Sequence, residues 1–285
     1  MLRIDAHQHF WQYDPVRDSW IEPSSPIARD FGPSDLQPLL ESQAIDGCVA
    51  VQASSSPAET AYLLSLGASF IRGVVGWVNL QADDIEDQLA HYSGFPLLKG
   101  FRHILQGEAQ RDYMLRPAFL RGIGLLNRYG FTYDILIFPD QIEFATEFAR
   151  LFPDQPFVLD HIAKPDIKGY ALGDAGSHAP GALHEWRKKI RSLAACDNVS
   201  CKVSGIVTEA DWKTWKPEDF KPFLEEVTEA FGPKRLMFGS DWPVCLLAAE
   251  YDAMIRIVTD FYAGFSPDEK AAIFGGTACD FYHLL

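Results

Sequence analysis

The sequence predicts an α/β fold, a (β/α)8 TIM barrel forming a single domain over residues 1–285, and three observations carry that expectation. Short, apolar, β-branched runs recur about eight times along the chain. Stretches with apolar residues at helical spacing separate them in regular alternation, the signature of a parallel sheet covered by helices. Polar residues able to do chemistry gather at the C-terminal ends of the runs, where a barrel keeps its active site. With 47% hydrophobic residues in 285, the chain can also bury a large core.

Taken in order, the strand candidates are residues 2–10 (LRIDAHQHF), 47–52 (GCVAVQ), 71–80 (IRGVVGWVNL) and 97–104 (LLKGFRHI). They continue with 132–138 (TYDILIF), 156–162 (PFVLDHI), 198–205 (NVSCKVSG) and 236–243 (LMFGSDWP). Near-continuous apolarity of this kind belongs to strands buried on both faces. The helix candidates between them cover 33–43, 57–67, 83–92, 116–130, 139–152, 180–196 and 217–232. Several begin after Pro, Ser or Asp and end near Gly or Asn, the usual start and stop residues. An open doubly wound sheet is the runner-up, but no GxGxxG or Walker-type loop follows any strand, which weakens its nucleotide-binding version. Residues 11–33, aromatic and Pro-rich, and 163–180, rich in Gly, Ala and Asp, are excursions at strand C-terminal ends and so candidate substrate loops.

Charge narrows the partners. Against 25 basic residues stand 39 acidic ones, a net charge of −14 that repels nucleic acid and anionic membrane surfaces and favours a small-molecule partner. No signal-type apolar segment opens the chain and no 18-residue apolar run interrupts it, so no membrane association is expected. Cys48, Cys196, Cys201, Cys245 and Cys279 are odd in number and scattered without a CxxC pair, which reads as reduced thiols in a cytoplasmic protein.

On strand 1, Asp5, His7 and His9 lie two apart and are expected to share one face. Strand 4 ends in Arg102 and His103, strand 5 begins near Tyr133 and Asp134, and strand 6 ends in Asp160 and His161. Strand 7 contributes Lys202 and Ser204, and strand 8 is followed by Asp241 and Trp242. Apolar parallel strands rarely tolerate such residues, because an unpaired buried charge costs several kcal/mol or shifts its pKa until it neutralises. One histidine of this kind would read as a core residue; the joint pattern reads as a site.

The motifs IDAHQHFW at the start, DHIAKP (160–165), CKVSG (201–205), GSDWP (239–243) and FGGTACDFY near the end resemble the amidohydrolase superfamily. Within it they resemble the sugar-lactonase branch of L-fuconolactonases and L-rhamnonolactonases, over essentially the whole chain. The resemblance implies a (β/α)8 barrel that activates water against a carbon centre. It makes His7 and His9 the strand 1 metal- or carbonyl-binding pair, His161 the strand 6 histidine and Asp241 the carboxylate that takes the proton from water. Binuclear members of the superfamily carry a bridging lysine at the end of strand 4 and a histidine at the end of strand 5; neither is present here, so a two-metal centre is not expected. Two arrangements remain: one Zn2+, or another divalent ion, held by His7, His9 and Asp241 with or without His161, or metal-independent catalysis.

Opening a sugar-acid lactone needs a base, an oxyanion partner and an acid for the leaving alkoxide. Asp241 is expected to be the base, with its pKa raised in a partly dry pocket, while His7, His9 and His161 polarise the carbonyl. Arg102, His103 and Lys164 are candidate substrate-binding residues, and Trp11 and Trp242 a candidate platform for a sugar ring. There is no GxSxG elbow, and Ser204 shows no partner base, which disfavours an acyl-enzyme. The competing readings are a metal-dependent decarboxylase of an unsaturated or aromatic acid, a pyrone-dicarboxylate-type lactonase, which would want more arginines at the strand ends, and a sugar-binding barrel without activity.

Overall fold

The computed structural model describes residues 2–172 and 181–284. Eight strands form one sheet in sequential order, each paired parallel with the next: β1 (Ile4–Gln8), β2 (Gly47–Val51), β3 (Ile71–Gly76), β4 (Leu98–His103), β5 (Thr132–Ile135), β6 (Phe157–Leu159), β7 (Val199–Val203) and β8 (Leu236–Phe238). All eight expected strands are present. The order is that of a (β/α)8 barrel. Its seam between β8 and β1 is closed beyond the end of β8, by a parallel bridge of Gln8 with Trp242 and by backbone bonds from Asp241 N–H to the His7 carbonyl (2.8 Å) and from His9 N–H to the Trp242 carbonyl (2.7 Å).

The helices between the strands are α1 (Pro33–Ser42), α2 (Pro57–Ser65), α3 (Ile85–Tyr92), α4 (Pro117–Leu126), α5 (Ile142–Leu151), α6 (Ile167–Leu172), α7 (Ala182–Ala194) and α8 (Pro217–Phe231). Beyond β8 come α9 (Tyr251–Phe261), α10 (Pro267–Ala271) and α11 (Thr277–Tyr282). Each long helix buries one stripe against the sheet. In α8 the stripe is Phe220, Phe223, Leu224, Val227 and Phe231, the three-and-four spacing of an amphipathic helix. No helix of the described residues is long and apolar enough to cross a membrane.

Two apolar clusters divide the interior. The larger lies between strands and helices and takes the outward side chains, among them Phe101, Tyr133, Phe157, Cys201 and Phe238. The smaller fills the barrel itself with Ile4, Ala6, Val49, Val51, Val75, Val158 and Met237, closed below by Ala278, Tyr282 and Leu284 of the C-terminal segment. Arg102, Asp134, Asp160 and Lys202 alternate with the outward residues on their strands, and so sit above this plug on the barrel's inner face.

The expected common face of Asp5, His7 and His9 does not form. Pairing of β1 with β2 slips between Asp5 and Gln8, one residue extra on β1, and a slip of one residue reverses the face of the residues beyond it. His7 and His9 therefore turn into the barrel, whereas Asp5 bonds Tyr251 of α9 (3.2 Å) and the Ser240 N–H (2.9 Å). The excursion over 11–33 is pinned at its base by paired backbone bonds between Trp11 and Phe31. Of the excursion over 163–180, residues 173–180 lie outside the described residues.

Candidate active site

Four side chains converge at the barrel mouth. Asp241 Oδ1 lies 3.3 Å from His9 Nε2, 3.7 Å from His161 Nε2 and 3.8 Å from His7 Nε2, and the two strand 1 imidazoles meet at 3.3 Å. All four residues are buried. Two glycines make room for them. A Cβ on Gly239 would stand 2.6 Å from the His7 Cβ, and one on Gly205, whose φ is +60°, would stand 2.4 Å from His161 Nδ1.

Local backbone sets the approach of each group. Asp241 has φ of 58°, a left-handed conformation that Asp tolerates better than most residues, and it turns the carboxylate back over the mouth immediately after β8. After β6 the chain makes a left-handed turn in which His161, Ile162, Ala163 and Lys164 have φ of 52°, 49°, 60° and 48°. Such conformations cost about 1–2 kcal/mol per residue. Ile162 and Ala163 are fully buried and the Ile162 carbonyl accepts from the Trp186 indole (3.2 Å), so packing holds a turn that local preference opposes.

Below the mouth runs a buried charged network. Lys202 Nζ touches Asp134 Oδ2 (2.5 Å), Asp160 Oδ1 (3.0 Å) and His7 Nδ1 (3.1 Å). Arg102 Nη1 reaches Asp160 Oδ2 (2.9 Å) and His7 Nε2 (3.2 Å), and its Nη2 bonds the Gln52 carbonyl. The Tyr282 hydroxyl donates to the Asp134 carboxylate from beneath, at 2.8 Å. Burial raises the Asp160 carboxyl, but Lys202, His7 and Arg102 outweigh it and hold Asp160 well below the usual carboxylate range. Asp134 is pushed up to about 6 by burial, against the pull of Lys202.

The protonation of Asp241 differs from expectation. Burial does push its pKa up, but His161 and the nearby His7 and His9 reverse the shift, and the carboxyl lies well below its ordinary range. Burial drives His161 down to about 4 and His7 well below its ordinary value. The mouth thus presents an ionised carboxylate among neutral imidazoles. Ser204 does have a partner: its Oγ lies 2.9 Å from His161 Nδ1, although the hydroxyl is fully buried and so orients the ring rather than facing a ligand.

The donor set fits a metal ion. His9 donates its Nδ1 proton to the Val51 carbonyl (2.7 Å), which leaves Nε2 as an acceptor facing Asp241 Oδ1, itself an acceptor, and His7 Nε2. Three acceptor atoms separated by 3.3–3.8 Å match the edges of a tetrahedron of ligands about 2.0–2.2 Å from a zinc ion. His7, His9 and Asp241 can hold one divalent ion.

The other expected residues are spread around this centre. Arg102 lies beside it, with its Nη atoms committed to Asp160, His7 and Gln52. Lys164 pairs with Glu209 at 3.5 Å. Trp11 is buried with its ring centroid 6.4 Å from that of His9 and its indole N–H on the Arg29 carbonyl. Trp242 lies elsewhere: its ring packs between Phe10 and Phe31 in the core with 2% exposure, so it serves packing rather than a platform at the mouth. His103 follows Arg102 by one residue and therefore points outward, stacked on Tyr113 (5.1 Å) and bonded to Glu108 (2.7 Å). Two carboxylates beside the site carry no motif that marks them in the sequence. Glu209, five residues past CKVSG, is raised by burial and lowered by Lys164, and it stands near enough to Asp241 for their charges to repel. Glu59 on α2 is raised by burial and lowered by the Ala53 N–H and by His9.

Fold and site define a barrel enzyme with a histidine-and-carboxylate centre able to take a metal ion. The chain belongs to the amidohydrolase family, whose profile matches residues 4–284. An L-fucono-1,5-lactonase of Burkholderia multivorans is 41% identical over 292 residues, spanning 99% of this chain and 96% of the relative. One of Burkholderia ambifaria is 36% identical over 295 residues, with 99% and 96% covered. A crystal structure of a Burkholderia multivorans amidohydrolase with bound zinc superimposes with a TM-score of 0.92 at 40% identity and covers all of both chains.

Proposed function

We propose that this protein hydrolyses a sugar-acid lactone, of the L-fucono- or L-rhamnono-lactone type, to the open-chain acid. The observation that carries the reading is near-full-length similarity, at 41% identity, to an L-fucono-1,5-lactonase, in a chain whose mouth gathers one ionised carboxylate and three imidazoles. Asp241 orients a water by accepting its hydrogen and takes its proton as the oxygen attacks the lactone carbonyl. With the Ser204 hydroxyl donating to Nδ1, neutral His161 presents Nε2–H to the oxyanion that develops. A carboxylate held below its ordinary pKa keeps the proton only briefly, so Asp241 returns it to the leaving ring oxygen. A metal ion on His7, His9 and Asp241 would polarise the carbonyl and lower the pKa of a bound water.

Glu209, Glu59 and Asp241 make the surroundings of the mouth acidic, and Lys164 is paired with Glu209, which suits a neutral polyhydroxy lactone over a dicarboxylate. Lys164 is the proposed contact to the sugar, with Trp11, buried beside His9, and Arg102 and His103 in supporting positions. Five free thiols favour a cytoplasmic enzyme of carbohydrate breakdown. The test is a pH-indicator assay over a panel of aldonolactones, with metal content measured on the same sample. Acid release from L-fucono- or L-rhamnono-lactones is the expected result. Turnover of none of them, or carbon dioxide release from an aromatic acid, would refute the reading.

A further inference from the structure

The nitrogen of His7 that completes the metal-ligand group already has a partner. Nε2 lies 3.3 Å from His9 Nε2 and 3.8 Å from Asp241 Oδ1, and 3.2 Å from Arg102 Nη1. On the other side of the ring, Nδ1 lies between Lys202 Nζ (3.1 Å) and Asp160 Oδ1 (3.3 Å), while Nε2, facing the guanidinium donor, offers its lone pair at the mouth. One lone pair can accept a guanidinium N–H or bind a metal, but not both.

Arg102 is held beside His7 by bonds of its own, which a metal ion would have to work against. Its side chain is buried, the same Nη1 donates to Asp160 Oδ2 at 2.9 Å, and its Nη2 bonds the Gln52 carbonyl while the Gln52 amide returns a bond to the Arg102 carbonyl at 3.1 Å. The guanidinium charge thus sits against the point where His7, His9 and Asp241 converge.

We propose that Arg102 is a resident cation that competes with a divalent metal for the His7 Nε2 lone pair and thereby sets the metal affinity of the site. Metal loading displaces the Arg102–His7 hydrogen bond, and the wild-type site binds zinc more weakly than its three donors alone would. Arg102 acts here through His7 and is a positioning residue.

The experiment titrates chelator-stripped wild-type protein and Arg102→Gln with zinc alone, in competition with a chromophoric chelator, with circular dichroism confirming the fold. Arg102→Gln is expected to bind zinc at least about tenfold more tightly, the scale on which groups touching metal ligands act. Equal or weaker binding by a folded Arg102→Gln overturns the proposal. A second measurement needs no variant. In zinc-soaked crystals of the wild type, Arg102 Nη1 is expected to have moved out of hydrogen-bonding range of His7 Nε2; zinc bound through His7 Nε2 with Arg102 still at 3.2 Å overturns the proposal as well.

Discussion

The Ser204 hydroxyl oxygen and His161 Nδ1 lie 2.9 Å apart in a fully buried contact, and this bond aims the opposite ring nitrogen at Asp241. Ser204 belongs to the loop after β7 and His161 to the turn after β6, so neighbouring strand ends hold one imidazole in register. Removing the hydroxyl leaves the ring in place without its director. Ser204→Ala is therefore expected to lower kcat for lactone hydrolysis by about 10-fold, with KM little changed, the usual scale for losing an orienting partner.

Asp241→Asn keeps the shape of the side chain and removes the proton acceptor. Its kcat is expected to fall by about 10²–10⁴-fold while the circular dichroism spectrum stays that of the parent. Because its backbone N–H, not its carboxylate, bonds the His7 carbonyl, closure of the barrel should survive the substitution. Steady-state kinetics on a lactone turned over by the wild type checks it.

His161 sets a pH window for stability. Burial lowers its pKa to about 4 in the fold, against an ordinary value of 6.5. Between these values the unfolded chain binds a proton that the folded one does not, so stability rises with pH across the window and is lost as pH falls through it. The effect amounts to about 3 kcal/mol. Urea unfolding at pH 4 to 7 should show a shallower slope for His161→Asn than for the parent.

Tyr282→Phe leaves the Asp134 carboxylate without the hydroxyl that meets it at 2.8 Å. The cost is expected to be about 1–3 kcal/mol, since a buried acceptor of a charged group loses its donor. Chemical denaturation measures it directly.

Gly205→Ala places a methyl where φ is +60° and His161 Nδ1 is 2.4 Å away. Backbone strain and displacement of the ring act together, so stability should fall by about 1–3 kcal/mol and activity with it. Gly232→Ala, with a positive φ and nothing within 4 Å, is the control in which only the backbone term remains.

Much of this arrangement is legible from residue order. Alternating apolar runs locate all eight strands, because a strand buried on both faces has little freedom of composition. Apolarity overstates where the strands end: the run at 156–162 yields a strand of only Phe157–Leu159. Beyond it the chain enters the left-handed turn from His161 to Lys164, which no preference of Ile or Ala announces and which only the surrounding packing holds. Asp5 departs from its expected face for a related reason, since a bulge inside β1 reverses the simple two-residue period. Trp242 at a strand end invites a role at the mouth, but the chain turns there and the indole drops into the core. The lowered pKa of Asp241 depends on imidazoles from two distant segments, and spacing along the chain carries no distances of that kind. The helix α9 and the docking of Tyr282 beneath the barrel are likewise hidden, because both depend on how the last segment folds back.

The bonds that join the two ends of the sheet, His9 to Trp242 and Asp241 to His7, belong to the segments that carry the chemistry. A growing chain on the ribosome can thus have no working centre until β8 and the loop beyond it have emerged and met β1. Contacts so remote in sequence form slowly. Recovery of turnover during refolding is accordingly expected to lag behind recovery of helical signal, and to report the moment at which the ring of strands becomes complete.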